Sequence, residues 1–191
     1  MSSSSLPDAW RVAAGAEVLD VRGLFERYHP SIWRLLRRLG VPLAQLDDAA
    51  QEVFWVAARK LEQIEPGKQH AFLYGVALRI AASELRRRAS APPRAELEEL
   101  ERLADGSPTP EEQLEESRAR ALLDLVLDRL PLELRTVLVL FELEGLDVRS
   151  IAEIEGIPVG TVGSRLRRAR EEFSAIAKRV RAALDVPRRT G

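Results

Sequence analysis

The stretch IAEIEGIPVGTVGSRLRRARE, residues 151–171, joins a short apolar-patterned segment to an arginine-rich one through Gly156 and Pro158. With a helix starting near Pro158, Val162, Leu166, Ala169 and Phe173 recur at steps of four, three and four and so form one narrow stripe. Gly160, Ser164, Arg167 and Arg168 then point the opposite way. A short helix, a tight turn containing Gly and a longer helix with a basic, hydroxyl-bearing outer face make a helix-turn-helix, whose second helix enters the major groove of DNA. Arginine bonds guanine bidentately or clamps phosphates, and the small residues Gly160, Gly163 and Ser164 permit close approach to the nucleic-acid backbone. The arginines alone are also consistent with a solvated face; the turn and the stripe weigh against that reading.

Upstream of this motif, LELRTVLVLFELEG (residues 132–145) reads as a helix closed by Gly145, and LLDLVLDRL (residues 122–130) as one ended by Pro131. That earlier helix has a strong start, with Thr109 to cap it, Pro110 at its first position, and Glu111 and Glu112 complementing the positive end of the dipole. Before it, residues 91–118 hold nine acidic residues against three basic ones, four prolines and a Gly-Ser pair, which marks a linker between two helical units. The formal net charge of -1 therefore averages over unlike parts.

The first unit carries three helical patterns. Leu24, Tyr28, Ile32, Leu35, Leu36 and Leu39 follow a helical period, with Pro30 expected to break or bend it. Leu46, Ala50, Val53, Ala57 and Leu61 form the stripe of a second helix, leaving Asp47, Asp48, Gln51 and Glu52 off it. By spacing alone, the two aspartates simply favour a first helical turn. In the third segment Leu73, Val76, Ala77 and Ile80 make a core stripe, while Phe72, Arg79, Ser83 and Arg86 share another face. An aromatic ring beside guanidinium groups suits stacking on bases and pairing with phosphates; a core Phe72 and a solvated basic helix end at residues 86–88 fit the same residues.

Composition bounds the remaining possibilities. Ala, Leu, Arg and Glu dominate, no β-branched alternation runs long, and the expectation is an all-α chain of two small helical domains joined by an acidic flexible linker. The absence of cysteine rules out disulfides, thiolate nucleophiles and cysteine-ligated metals. His29 and His70 lack partners at metal-ligand spacing and read as ordinary surface residues, and no Gly-rich phosphate loop follows a strand, so no enzyme, cofactor or metal is expected. MSSSSLPDAW has no signal-peptide character and no apolar run reaches membrane-spanning length, so a cytoplasmic chain with no membrane span is expected.

Residues 130–171 resemble region 4 of the sigma-70 family, the helix-turn-helix that reads the promoter -35 element. DDAAQEVFWVAARKLE (residues 47–62) followed by FLYGVALRIAASELRRR (residues 72–88) resembles region 2. Two regions in this order with only a short linker are similar to the extracytoplasmic-function (ECF) sigma factors. The resemblance implies a core-polymerase surface at Asp48, Gln51, Glu52 and Phe54. It implies -10 element capture and melting by Phe72, Arg79, Ser83, Arg86 and Arg87, and -35 recognition by Arg149, Thr161, Ser164, Arg165, Arg167 and Arg168. Phe72 stands where an indole is common, Leu78 replaces a frequent basic residue, and Gly163 replaces a frequent lysine. The domain limits it implies are an N-terminal extension over 1–19, region 2 over 20–90, an acidic linker over 91–110, region 4 over 111–184 and a tail over 185–191. In the family the linker threads toward basic polymerase channels, which an acidic tether such as Glu96, Glu98, Glu99 and Glu101 would suit. Partners implied are core RNA polymerase and promoter DNA, with an anti-sigma factor as a further candidate. A helix-turn-helix regulator acting without polymerase accounts for residues 131–182 but gives no reason for the DDAAQEVF segment.

Overall fold

The computed structural model describes residues 20–89 and 111–184, with side chains over 119–182 in the second stretch. The expected cap at Thr109 and Pro110, the linker over 91–110 and both termini lie outside the described residues. Among those described, all regular structure is helical.

The first unit is a three-helix arrangement of α1 (Val21–Arg38), α2 (Leu46–Arg59) and α3 (Gln69–Ala89). Asp20 starts α1 by accepting a hydrogen bond from the Arg22 amide, which satisfies one orphan donor of the first turn. Of the break or bend expected at Pro30, no break occurs: α1 runs through Pro30 without interruption. The apolar pattern prevails over the missing proline N–H, because Leu24, Ile32, Leu35 and Leu36 on both sides of Pro30 are buried in one core. The stripes of α2 and α3 are buried as their periodicity predicts, and Trp33 of α1 donates from Nε1 to Asp47 Oδ1 at 2.9 Å, pinning the start of α2.

The second unit contains α4 (Glu111–Asp128), α5 (Leu132–Leu138), α6 (Val148–Glu155) and α7 (Val159–Leu184). A π-turn, Val139–Leu143, prolongs α5 and leads to Glu144. Leu134, Val137, Val139, Leu140, Ile151, Val162, Leu166 and Ala169 pack α5 and α6 against α7. Asp147 caps α6 through the amides of Arg149 and Ser150, and these bonds hold its carboxyl below the ordinary range. Gly156 ends α6 in the left-handed region at φ 67°, as the tight turn of the motif requires.

The units pack on each other. Arg37 reaches Asp124 of α4 at 2.8 Å, and buried Arg135 of α5 donates to the Leu39 carbonyl at 2.8 Å and to Asp128 at 2.8 Å. Gly40, just after α1, has φ 94°, and a Cβ there would overlap Arg135 Nη1. The contact therefore needs glycine for both conformation and space.

Candidate nucleic-acid interface

The helix-turn-helix is built from α6, the Gly156 turn and α7. Its core stripe points inward, since Val162, Leu166 and Ala169 are buried, and Phe173 packs against the same core. Gly160, Gly163, Ser164, Arg167 and Arg168 are exposed on the outer face of α7, and Arg149 is exposed at the start of α6. A Cβ at Gly160 or Gly163 would meet nothing within 4 Å, so these glycines leave the face flat and not merely well packed. Arg167 and Arg168 pair with Glu171 and Glu172 one helical turn on, at 3.0 and 3.2 Å. Such exposed i,i+4 pairs are weak, about 0.3–0.5 kcal/mol, and yield readily to a phosphate or a base edge.

Two members of the expected -35 set are not free on that face. Thr161 is half-buried, and Arg165 is turned back onto α6, where Nη1 lies 2.9 Å from Glu155 Oε2. On a helical wheel Arg165 stands roughly 60° from the buried stripe, close enough for its long side chain to reach the neighbouring helix. Arg170, the fourth arginine, pairs with Glu142 at 2.7 Å and lies over the Phe141 ring. Sequence reasoning missed Val159, which is 51% exposed at the first position of α7 and offers an apolar contact of the kind a thymine methyl accepts.

On α3, Phe72 is half-buried, while Arg79, Ser83, Arg86 and Arg87 are exposed along the same side, with Arg87 paired to Glu84. Phe72 and Arg79 line a cavity of about 320 Å³ together with Lys68 and with Glu153 and Ile154 of α6. Both readings of Phe72, core and surface, thus describe part of its environment.

On α2, Asp48, Gln51 and Glu52 are exposed side by side, but Phe54 is not with them. At 5% exposure it lies edge-on to Phe25 with ring centroids 4.9 Å apart, so its place on the expected partner surface is corrected to the core. The aromatic residue that does share that surface is Trp55, 65% exposed and seven residues from Asp48, two helical turns along the same face. The wheel carried that signal. His70, expected at the surface, is half-buried with its ring centroid 3.9 Å from that of Tyr74. No group of His, Cys, Asp and Glu able to hold a metal occurs among the described residues, and no described helix is long and apolar enough to cross a membrane.

The chain belongs to the sigma-70 family: the three-helix unit, over residues 24–91, matches Sigma-70 region 2, and the helix-turn-helix unit, over residues 120–173, matches Sigma-70, region 4. More narrowly, it is an RNA polymerase sigma factor of the ECF group. It is 34% identical over 156 residues to the ECF RNA polymerase sigma-E factor of Haemophilus influenzae, covering 78% of this chain and 82% of that protein. The sigma-E factor of Escherichia coli K12 is 32% identical over 156 residues, covering 78% of this chain and 81% of that protein. ECF RNA polymerase sigma factor SigE of Mycolicibacterium smegmatis is 31% identical over 150 residues; the match takes in 78% of this chain and 58% of that longer relative. The fold is also that of CnrH in its complex with the cytosolic domain of CnrY, with a TM-score of 0.61 and 23% identity over 83% of this chain and 87% of that one. Sigma factor RpoE in complex with the anti-sigma factor NepR from Bartonella quintana gives a TM-score of 0.60 and 20% identity over 82% of this chain and 96% of that one.

Proposed function

We propose that this sigma factor attaches to core RNA polymerase through the outer face of α2, reads the -35 duplex with the outer face of α7, and captures the -10 strand with α3. The observation that carries the reading is the exposure, on separate units of one chain, of the Asp48, Gln51, Glu52 and Trp55 face and of the Gly160, Ser164, Arg167 and Arg168 face. A DNA-binding regulator needs only the second. Three polar side chains around an exposed indole have the make-up of an interface patch with an aromatic anchor. The proposed -35 contacts are Arg149, Ser164, Arg167 and Arg168, and the proposed -10 contacts are Phe72, Arg79, Ser83, Arg86 and Arg87.

The protein performs no covalent chemistry of its own on this reading and works in the cytoplasm, where polymerase and promoters are. An anti-sigma protein is a further proposed partner, because both structural neighbours named above are complexes with such a partner or with the cytosolic domain of another protein. The proposed division of the chain keeps region 2 within 20–90 and region 4 within 111–184, joined by the acidic segment.

Charge reversal at Asp48 and Glu52, each to Lys, tests the polymerase surface. Both side chains are solvent-facing, so the variant keeps its fold by circular dichroism while core binding on a sizing column and run-off transcription are lost. Unchanged co-migration with core enzyme would overturn the assignment.

A further inference from the structure

Each of the four arginines within residues 151–171 holds a carboxylate of its own chain. Arg165 and Arg170 are drawn aside, to Glu155 at 2.9 Å and to Glu142 at 2.7 Å. Arg167 and Arg168 stay on the outer face of α7, and each donates to a glutamate one turn on, Nη1 to Glu171 Oε1 at 3.0 Å and Nη2 to Glu172 Oε1 at 3.2 Å. Two positive groups on the proposed DNA surface are thus matched by two negative ones. A helix that only clung to phosphates would do without the glutamates, because duplex DNA presents one negative charge about every 1.7 Å of its axis.

The two glutamates are not equivalent. At about 100° per residue Glu171 falls between Arg167 and Arg168, roughly 170° from the middle of the buried stripe, whereas Glu172 falls at the flank, roughly 90° from it. Their side chains are 60% and 37% exposed, in the same order. Glu171 is one turn along the axis from Arg167, about 6 Å, so a duplex touched by Arg167 comes close to it. There the carboxylate meets either phosphate oxygens, which repel it, or a donor on a base edge. Cytosine offers such a donor at N4 in the major groove; adenine sets its N6 donor beside the N7 acceptor, which repels a carboxylate.

We infer that Glu171 is a specificity-determining residue of the -35 surface, which holds Arg167 back from duplexes of arbitrary sequence and accepts from the cytosine N4 amino group in the duplex that is recognised. The inference rests on the reading of α7 as the duplex-binding helix. On an arbitrary duplex Arg167 gives up its pair and leaves a bare carboxylate among phosphates. On the recognised one the carboxylate gains a donor as the arginine leaves. Glu172, at the flank, supplies only the restraint, acting on Arg168. Giving up one exposed pair lowers affinity about twofold, so the two together lower non-specific binding about three- to fivefold. A glutamate left beside DNA also retains a cation, which offsets part of the counterion release and flattens the salt dependence.

The full chain tests this as wild type, Glu171→Gln, Glu172→Gln and the double variant, with a random-sequence duplex pool as probe. Each single variant should bind the unselected pool about twofold more tightly and the double variant about three- to fivefold, with a salt slope steeper by up to about one per residue changed. Duplexes enriched from the pool at low salt and sequenced should carry cytosine at one position for the wild type and for Glu172→Gln. For Glu171→Gln that position should lose its preference or turn to adenine, which a glutamine amide bonds at N6 and N7. The same base preferences for wild type and Glu171→Gln, a matching shift in Glu172→Gln, or unaltered pool binding by Glu171→Gln would overturn the inference. A wild-type chain that enriches no sequence at all would overturn the α7 reading beneath it, an outcome distinct from enrichment that ignores residue 171.

Discussion

Arg165 of the recognition helix is tied to Glu155 of the helix before it, Nη1 to Oε2 at 2.9 Å, while Glu155 Oε1 is buried without a partner. One of the four arginines that mark the motif thus braces the two helices against each other. Burial raises the Glu155 carboxyl above its ordinary pKa, and Arg165 opposes the shift. The charge at Glu155 is tolerable only beside its partner.

Removing Arg165 should therefore cost more than neutralising Glu155. Arg165→Ala leaves a buried carboxylate unpaired and should lower stability by about 1–3 kcal/mol, whereas Glu155→Gln should cost less. Combining them should recover part of the Arg165→Ala loss. Urea unfolding of the full chain checks this, and additive losses would contradict the bracing role.

Gly40 should tolerate no other residue. Its φ of 94° and the position of Arg135 Nη1 against it oppose any Cβ, so Gly40→Ala should destabilise by about 1–3 kcal/mol, comparable to the cost of Arg135→Ala. A thermal-melt series should find the double variant less damaged than the sum, because Arg135→Ala makes room for the new methyl.

Adjacent residues on α2 should separate folding from binding. Phe54→Ala empties a core site and should cost about 3–5 kcal/mol of stability. Trp55→Ala should leave stability within about 0.5 kcal/mol but weaken core-polymerase binding by about 2 kcal/mol or more, as loss of an aromatic anchor does. Unfolding curves and a polymerase titration on both variants read the contrast, and a Trp55→Ala chain with full affinity would remove the indole from the interface.

Arg167→Ala and Arg168→Ala should hardly move stability, since each breaks only an exposed pair. Against duplex DNA a base contact should cost about 1–3 kcal/mol and relax preference at one position. A phosphate contact should instead weaken all sequences and reduce the salt slope by about one. Binding at several salt concentrations to a selected duplex and its scrambled control distinguishes them, and no change in any of the three would return these arginines to a solvated face.

Acid should destabilise the fold through His70 at the start of α3. Burial lowers its pKa below 6.5, against the attraction of Glu144, with Tyr28 and Tyr74 as its ring neighbours. A lowered histidine pKa means the unfolded chain binds the proton more readily, so the contribution is complete above 6.5 and lost as the pH falls through the folded value. His70→Phe should flatten that part of the stability-against-pH curve; an identical curve would assign the dependence elsewhere.

The helices, their buried stripes and the helix-turn-helix are legible in the residues alone, because a 3.6-residue period and a glycine at a left-handed turn are local facts. Val162, Leu166 and Ala169 are buried as their spacing required, and the exposed Arg167 and Arg168 follow from the same wheel. Residues at the flank of a stripe are where that reading fails. Phe54 and Arg165 stand between inside and outside on the wheel, and only the neighbours, Phe25 of α1 and Glu155 of α6, decided which way each went. Pro30 shows the same limit, since a local rule against helix gave way to a core contributed by two other helices. Beyond the reach of any periodicity lay the meeting of the units, where Glu144 joins Arg38 and Tyr74 across 106 and 70 residues of chain. Pairs that distant leave no local pattern, because what brings them together is the packing of whole domains.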